Sequence, residues 1–179
     1  MHKKLPKIYY FINNFDKNLI NNLNSNIALI YRNYDEKLNI DLLNDIKKIC
    51  KIKKMMFFLS NNTKLALKLN LDGAYIPAFN NSFRTNSYNL KQKFKLIGSA
   101  HNLKEIRNKE LQKVSYLFLS PLFLSKKNSK NLGIYRFMNL SNKTKKKIVC
   151  LGGINKDNIK KTNLIKPYGI AAISLFEVK

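Results

Sequence analysis

The sequence predicts an α/β fold: a compact (β/α)8 TIM barrel of parallel strands in a single domain over residues 1–179. Three observations carry that expectation. Short apolar runs rich in β-branched and aromatic residues alternate along the chain with longer polar segments of helical period. There are eight such runs, at residues 8–12, 27–32, 55–59, 74–76, 96–100, 116–120, 148–151 and 170–175, and eight is the number of strands that closes this barrel. A glycine pair, Gly152-Gly153, directly follows the seventh run in a chain with only six glycines. Loops after strands seven and eight are where such barrels hold phosphate. An open doubly wound sheet would instead carry its glycines in the first strand-to-helix turn, where this chain reads Asn13-Asn14-Phe15-Asp16.

Each element has a local reason. Several apolar runs are nearly continuous, as expected of parallel strands covered on both faces. The clearest helix is predicted over 40–53, with Asn39 as N-cap, Leu42, Leu43, Ile46, Ile49 and Ile52 on one stripe and Lys47, Lys48 and Lys51 opposite. A second is predicted over 102–112, with Asn102 as cap, Glu105 three residues on, and Leu103, Ile106 and Leu111 facing inward. A third is predicted from Asn155 to Lys166, stopped by Pro167. The chain ends a few residues after the eighth run, so the expected barrel lacks a closing eighth helix. Its eighth strand is then expected to be covered by a second copy in a homo-oligomer or by a shifted neighbouring helix.

Composition narrows the function classes. With 45% hydrophobic residues the chain can bury a core, and no apolar run approaches a membrane span. The charged start is followed by an apolar stretch too short for a signal peptide, so a cytoplasmic location is expected. Cys50 and Cys150 match no metal spacing and read as small buried apolar residues of a reducing compartment. The net charge of +24 invites a nucleic-acid reading, but only 4 of the 34 basic residues are arginines. Lysine, asparagine, isoleucine, phenylalanine and tyrosine share codons rich in A and T, so base composition accounts for the excess. A nucleic-acid partner is therefore not expected. The field still draws in anions, and a phosphorylated small molecule is the expected partner.

Barrel chemistry gathers at the C-terminal ends of the strands. The residues there are Arg32 and Asn33; Ser60 and Asn61; 77–80, ending in Asn80; Ser99 and His101; 120–127, with Lys126 and Lys127; Gly152 and Gly153; and Ser174. The glycine N–H groups are expected to cradle phosphate, helped by the N-terminus of the following helix and by backbone near Ser174. Arg32 suits a bidentate anion contact. His101, one of two histidines, suits proton transfer near neutral pH.

The segments DGAYIP (72–77), IGSAHNLKE (97–105), YLFLSPLF (116–123), LGI (132–134), CLGGI (150–154) and YGIAAIS (168–174) occur in the order of the thiamine phosphate synthase family, and the chain resembles it from residue 8 to 176. The resemblance extends to the family's isomerising relative, the thiazole tautomerase. It implies a (β/α)8 barrel acting in thiamine biosynthesis, joining hydroxymethylpyrimidine diphosphate to thiazole phosphate with release of pyrophosphate and help from Mg2+. It implies that Gly152, Gly153, Ile173 and Ser174 hold the thiazole phosphate, that Ser99 belongs to the catalytic segment, and that Lys126 or Lys127 meets pyrophosphate. In the tautomerase, His101 matches the acid/base. The chain departs from the pattern at the two metal positions, where Asn61 and Asn80 replace aspartates. After the second strand only Arg32 of the family's polar set remains. A neutral amide is a far weaker partner than a carboxylate for a hard dication. The resemblance therefore leaves three expectations: a synthase-type transferase with a degraded metal site, a tautomerase-like isomerase using His101, or a non-catalytic binder of thiazole phosphate.

Overall fold

The computed structural model describes residues 7–34, 38–125 and 130–172. Its strands are β1 (Ile8–Ile12), β2 (Ile27–Tyr31), β3 (Phe57–Ser60), β4 (Gly73–Ile76), β5 (Lys95–Ala100), β6 (Tyr116–Leu119), β7 (Lys147–Leu151) and β8 (Gly169–Ala172). They pair in parallel in chain order and close into a barrel. Closure is made at β1, where Ile8 sits beside Ile27 of β2 on one side and Ile170 of β8 on the other.

Alternation along the strands divides the apolar side chains into two layers. Tyr9 and Phe11 point inward with Ile30, Phe58, Tyr75, Ile97, Phe118 and Val149, filling the barrel. Tyr10 and Ile12 point outward into the layer beneath the helices. The interior is strongly aromatic. Tyr9 meets Phe118 edge-on at 4.8 Å between centroids, Phe11 meets Tyr75 at 5.1 Å, and Tyr75 meets Phe118 at 5.6 Å. Rings of that size close a barrel whose strands are only four to six residues long.

The helices are α1 (Lys17–Asn22), α2 (Ile40–Ile52), α3 (Thr63–Lys68), α4 (Leu103–Leu111) and α5 (Gly133–Ser141). Four have side-chain caps: Asp16, Asn39, Asn62 and Asn102 each accept a backbone N–H of the first turn. The caps at Asn39 and Asn102 are those the sequence predicts. The predicted stripes need correction. On α2, Leu43, Ile46 and Cys50 are buried, while Ile52 is 81% exposed at the last turn. On α4, Leu103 and Leu111 are largely exposed, and the buried face is Ile106, Lys109 and Gln112.

The predicted helix over 155–166 does not form as an α-helix. The segment holds a 3-10 helix at Ile159–Leu164. Asn155 is the reason. Its Oδ1 accepts the N–H groups of Asp157 and Asn158, both at 3.0 Å, in an Asx turn that replaces the first helical turn. Between this 3-10 helix and β8 lies an open groove of about 600 Å3, lined by Lys7, Ile8, Ile159, Thr162, Pro167 and Ile170 among others. The expected absence of a closing helix falls on residues 173–179, which lie outside the described residues. Among the described residues, no helix is long and apolar enough to cross a membrane.

Candidate functional site at the barrel mouth

Gly152 and Gly153 form a left-handed turn at the end of β7, with φ of 95° and 67°. The space beside them is taken by the chain itself. A Cβ on Gly152 would stand 2.7 Å from Pro121 Cα, and one on Gly153 would overlap the carbonyl oxygens of Phe123 and Leu124. The loop between β6 and α5 lies across the pair, tied down by Leu122 N–H to Leu151 O at 2.9 Å and Phe123 N–H to Gly152 O at 3.1 Å. Asn158 Nδ2 donates to Gly153 O at 2.7 Å and fixes the next carbonyl. The carbonyls therefore face inward partners, and the pairing of Leu151 with Ala171 commits the Gly152 N–H to the end of the β7–β8 ladder, while the N–H of Gly153 finds no acceptor among the described residues. Such an unused donor on a left-handed turn suits an anion. The helix dipole expected behind it is missing, because no α-helix starts here.

The opposite rim is engaged with itself. Asn61 takes a left-handed φ of 58° after β3, and its N–H donates to Tyr75 O at 2.8 Å. Asn80 reaches over from the loop after β4, and its Nδ2 donates to Asn61 Oδ1 at 2.7 Å. The Ser82 N–H donates to Asn80 Oδ1 at 2.9 Å, which fixes which end of that amide is oxygen. Tyr34 and Ser60 share a hydroxyl hydrogen bond of 2.7 Å. Arg32 Nε donates to Asn13 Oδ1 at 3.2 Å, with its guanidinium 5.4 Å from the Phe11 ring centroid. Ser99 is buried and hydrogen-bonded to the Tyr75 hydroxyl, whose pKa is pushed up by burial. Ser99 thus faces the barrel interior with its partner already chosen.

This rim does not fit Mg2+. The two amide oxygens that align with the family's metal positions are both consumed, one by Asn80 Nδ2 and one by Ser82 N–H. Among the described residues no group of three or more His, Cys, Asp or Glu side chains is placed to hold a metal ion. A hard dication asks for oxygen ligands, several of them charged, and the rim presents none that is free and charged.

His101 lies just past β5. Glu105 Oε2 accepts both its backbone N–H at 2.7 Å and a hydrogen bond with ring Nδ1 at 2.9 Å. Asn102 completes the group, donating from Nδ2 to Glu105 Oε1 at 3.0 Å and accepting the Glu105 N–H at 3.0 Å. Behind the rim is a feature sequence reasoning missed. Lys109 is fully buried, and its Nζ donates to Asn80 O at 2.7 Å and Gln112 Oε1 at 2.9 Å. Gln112 Nε2 donates to Asn80 O and Ser82 O, both at 2.9 Å. Burial pulls the lysine pKa down to about 8, against a smaller upward pull from Glu105. The signal was available: Lys109 falls three residues after Ile106, on the inward face.

The structure therefore brings Asn61 and Asn80 together and sets Ser99 behind Tyr75 on the same side of the mouth. His101 stands at the end of β5, the strand that carries Ser99, and the glycine pair stands at the end of β7. Lys126, Lys127, Ile173 and Ser174 lie outside the described residues.

A closed parallel barrel gathers polar side chains and the glycine turn after β7 at the C-terminal ends of its strands, the end at which barrels of this class carry their sites. The family model described as thiamine monophosphate synthase matches residues 19–176, and the chain belongs to that family, which acts in thiamine biosynthesis. A thiamine-phosphate synthase of Prochlorococcus marinus is 33% identical over 134 residues, spanning 73% of this chain and 38% of that protein. The putative thiamine-phosphate synthase 2 of Aquifex aeolicus is 26% identical, spanning 75% of this chain and 73% of its own length. The chain thus spans under two fifths of the Prochlorococcus relative and most of the Aquifex one. Among solved structures, thiamine phosphate pyrophosphorylase from Pyrococcus furiosus superposes with a TM-score of 0.70 at 18% identity, over 93% of this chain and 85% of that one. That likeness establishes the fold.

Proposed function

We propose that the chain is a thiamine phosphate synthase-type transferase whose thiazole-phosphate half-site is retained and whose metal half-site is gone. The observation that supports this most directly is the left-handed turn at the end of β7 made by Gly152 and Gly153, which leaves the Gly153 N–H without an acceptor among the described residues. In this reading the glycine pair holds the phosphate of the thiazole, together with Ile173 and Ser174. The thiazole nitrogen bonds to the pyrimidine methylene carbon as its bond to the diphosphate oxygen breaks, and pyrophosphate leaves. The leaving charge is met by Arg32, Lys126 and Lys127 within a strongly basic field, since the Asn61–Asn80 rim offers no metal ligand set. The test is pyrophosphate release from the two phosphorylated precursors, with Mg2+ and with chelator. Slow release that chelation leaves unchanged is expected, and no release under either condition overturns the transferase.

The His101–Glu105 geometry favours a second reading, an isomerase acting on thiazole phosphate alone with His101 carrying the proton. That reading needs no metal half-site. Isomerisation abolished in His101→Ala establishes it. A rise in melting temperature with thiazole phosphate, with no product by either route, leaves the chain a binder. The homo-oligomer remains a proposal too: a second copy would occupy the groove beside β8, and a monomer in light scattering excludes it.

A further inference from the structure

We propose that Glu105 is a positioning residue that holds His101 with its proton on Nδ1 and its lone pair on Nε2. The contacts go beyond what helix capping asks. In a capping box the third helical residue reaches back to the backbone N–H of the cap residue. Here Glu105 reaches one residue further, to the His101 N–H, and places the same oxygen 2.9 Å from the imidazole Nδ1. Its other oxygen is taken by Asn102 Nδ2, so the carboxylate is held at both ends. An ionised carboxylate only accepts, so the nitrogen facing it must carry the hydrogen. In the neutral ring the other nitrogen is then the base. His101 Nε2 has no partner among the described residues, and the side chain is 48% exposed at the end of a barrel strand. A fixed ring with its basic nitrogen open is the base–orienter arrangement of proton-transfer sites.

In the isomerase reading, on which the kinetic part of this proposal rests, Nε2 takes a proton from an sp3 ring carbon of a non-aromatic tautomer of the thiazole phosphate. The C–H bonding pair enters the ring π system and makes it aromatic. The imidazolium keeps its Nδ1–H on Glu105, and Nε2 returns the same proton to the atom at the far end of the conjugated system. Charge and protons balance, and Glu105 stays ionised throughout.

The test uses Glu105→Gln in the full chain. Glutamine serves a capping box as well as glutamate, so the melting temperature should stay close to that of the parent. Long-range 1H–15N correlation spectra of the 15N-labelled protein report which ring nitrogen carries hydrogen. The expected result is an Nδ1–H ring in the parent chain and a shift toward Nε2–H in Glu105→Gln. The isomerisation rate is expected to fall roughly 10–100-fold, mainly in kcat. A parent ring in the Nε2–H form overturns the proposal by itself, whether or not the variant folds. So does a variant with unchanged tautomer and rate. Turnover that survives His101→Ala removes the isomerase reading while leaving the tautomer assignment to stand on its spectrum.

Discussion

A methyl group at Gly153 has nowhere to go: it would enter the carbonyls of Phe123 and Leu124, on a backbone already at φ of 67°. Gly153→Ala is expected to destabilise the chain by about 1–3 kcal/mol, read as a melting temperature lower by several degrees, with weaker thiazole-phosphate protection. Gly133 is the contrast, since its φ is 65° but no atom stands within 4 Å of a Cβ there. Gly133→Ala should cost less, and equal losses at both positions would refute the packing account of the pair. At the other rim, Asn61 and Asn80 give a second residue-scale prediction. The parent chain should show no saturable Mn2+ binding by electron paramagnetic resonance, whereas N61D/N80D should gain one site. A stoichiometric site in the parent would contradict the reading of the rim as metal-excluding.

Among the elements, α4 has the least usual anchor. Its buried Lys109 has a pKa near 8 in the folded chain, below the 10.5 of a free side chain. Between those values the unfolded chain binds more protons than the folded one, so stability rises with pH across that window. Below about 8 the lysine is charged in both states, and its desolvation cost is present in full. The rise should amount to at most roughly 3 kcal/mol, and denaturant melts of Lys109→Met should lack it. An identical slope in the variant would assign the effect elsewhere. This element also shows where sequence reading stops. Asn39 and Asn102 were legible as caps because capping is local, and the eight strands were legible because burial on both faces leaves apolar runs. The exposure of Leu103 and Leu111 was not legible, because a polar face of Lys109 and Gln112 is bought by backbone carbonyls about thirty residues away, at Asn80 and Ser82. The 3-10 helix after Gly153 was missed because Asn155 reads equally well as a helix cap and as the head of an Asx turn. At the site, the candidate positions could be collected from strand ends, but the pairing of Asn61 with Asn80, nineteen residues apart, depends on the register of β3 against β4.

For the whole molecule the net charge of +24 decides how ligands arrive. Association of thiazole phosphate should slow as salt rises from about 0.01 M to 1 M, because the Debye length falls from about 30 Å to 3 Å, and stopped-flow mixing measures it. Retention on nucleic acid should vanish at moderate salt while ligand binding persists. Retention that outlasts ligand binding would reverse the assignment of the charge. Because Asn80 donates to Asn61, the two positions are epistatic. Aspartate at 61 still accepts from the Asn80 amide, and aspartate at 80 is met once the Asn61 amide turns over. Only the second replacement sets two carboxylates face to face with no hydrogen between them, and that pair holds together only around a cation. A lineage gaining the carboxylates therefore acquires dependence on metal only at its second step, whereas a lineage losing them sheds that dependence at its first.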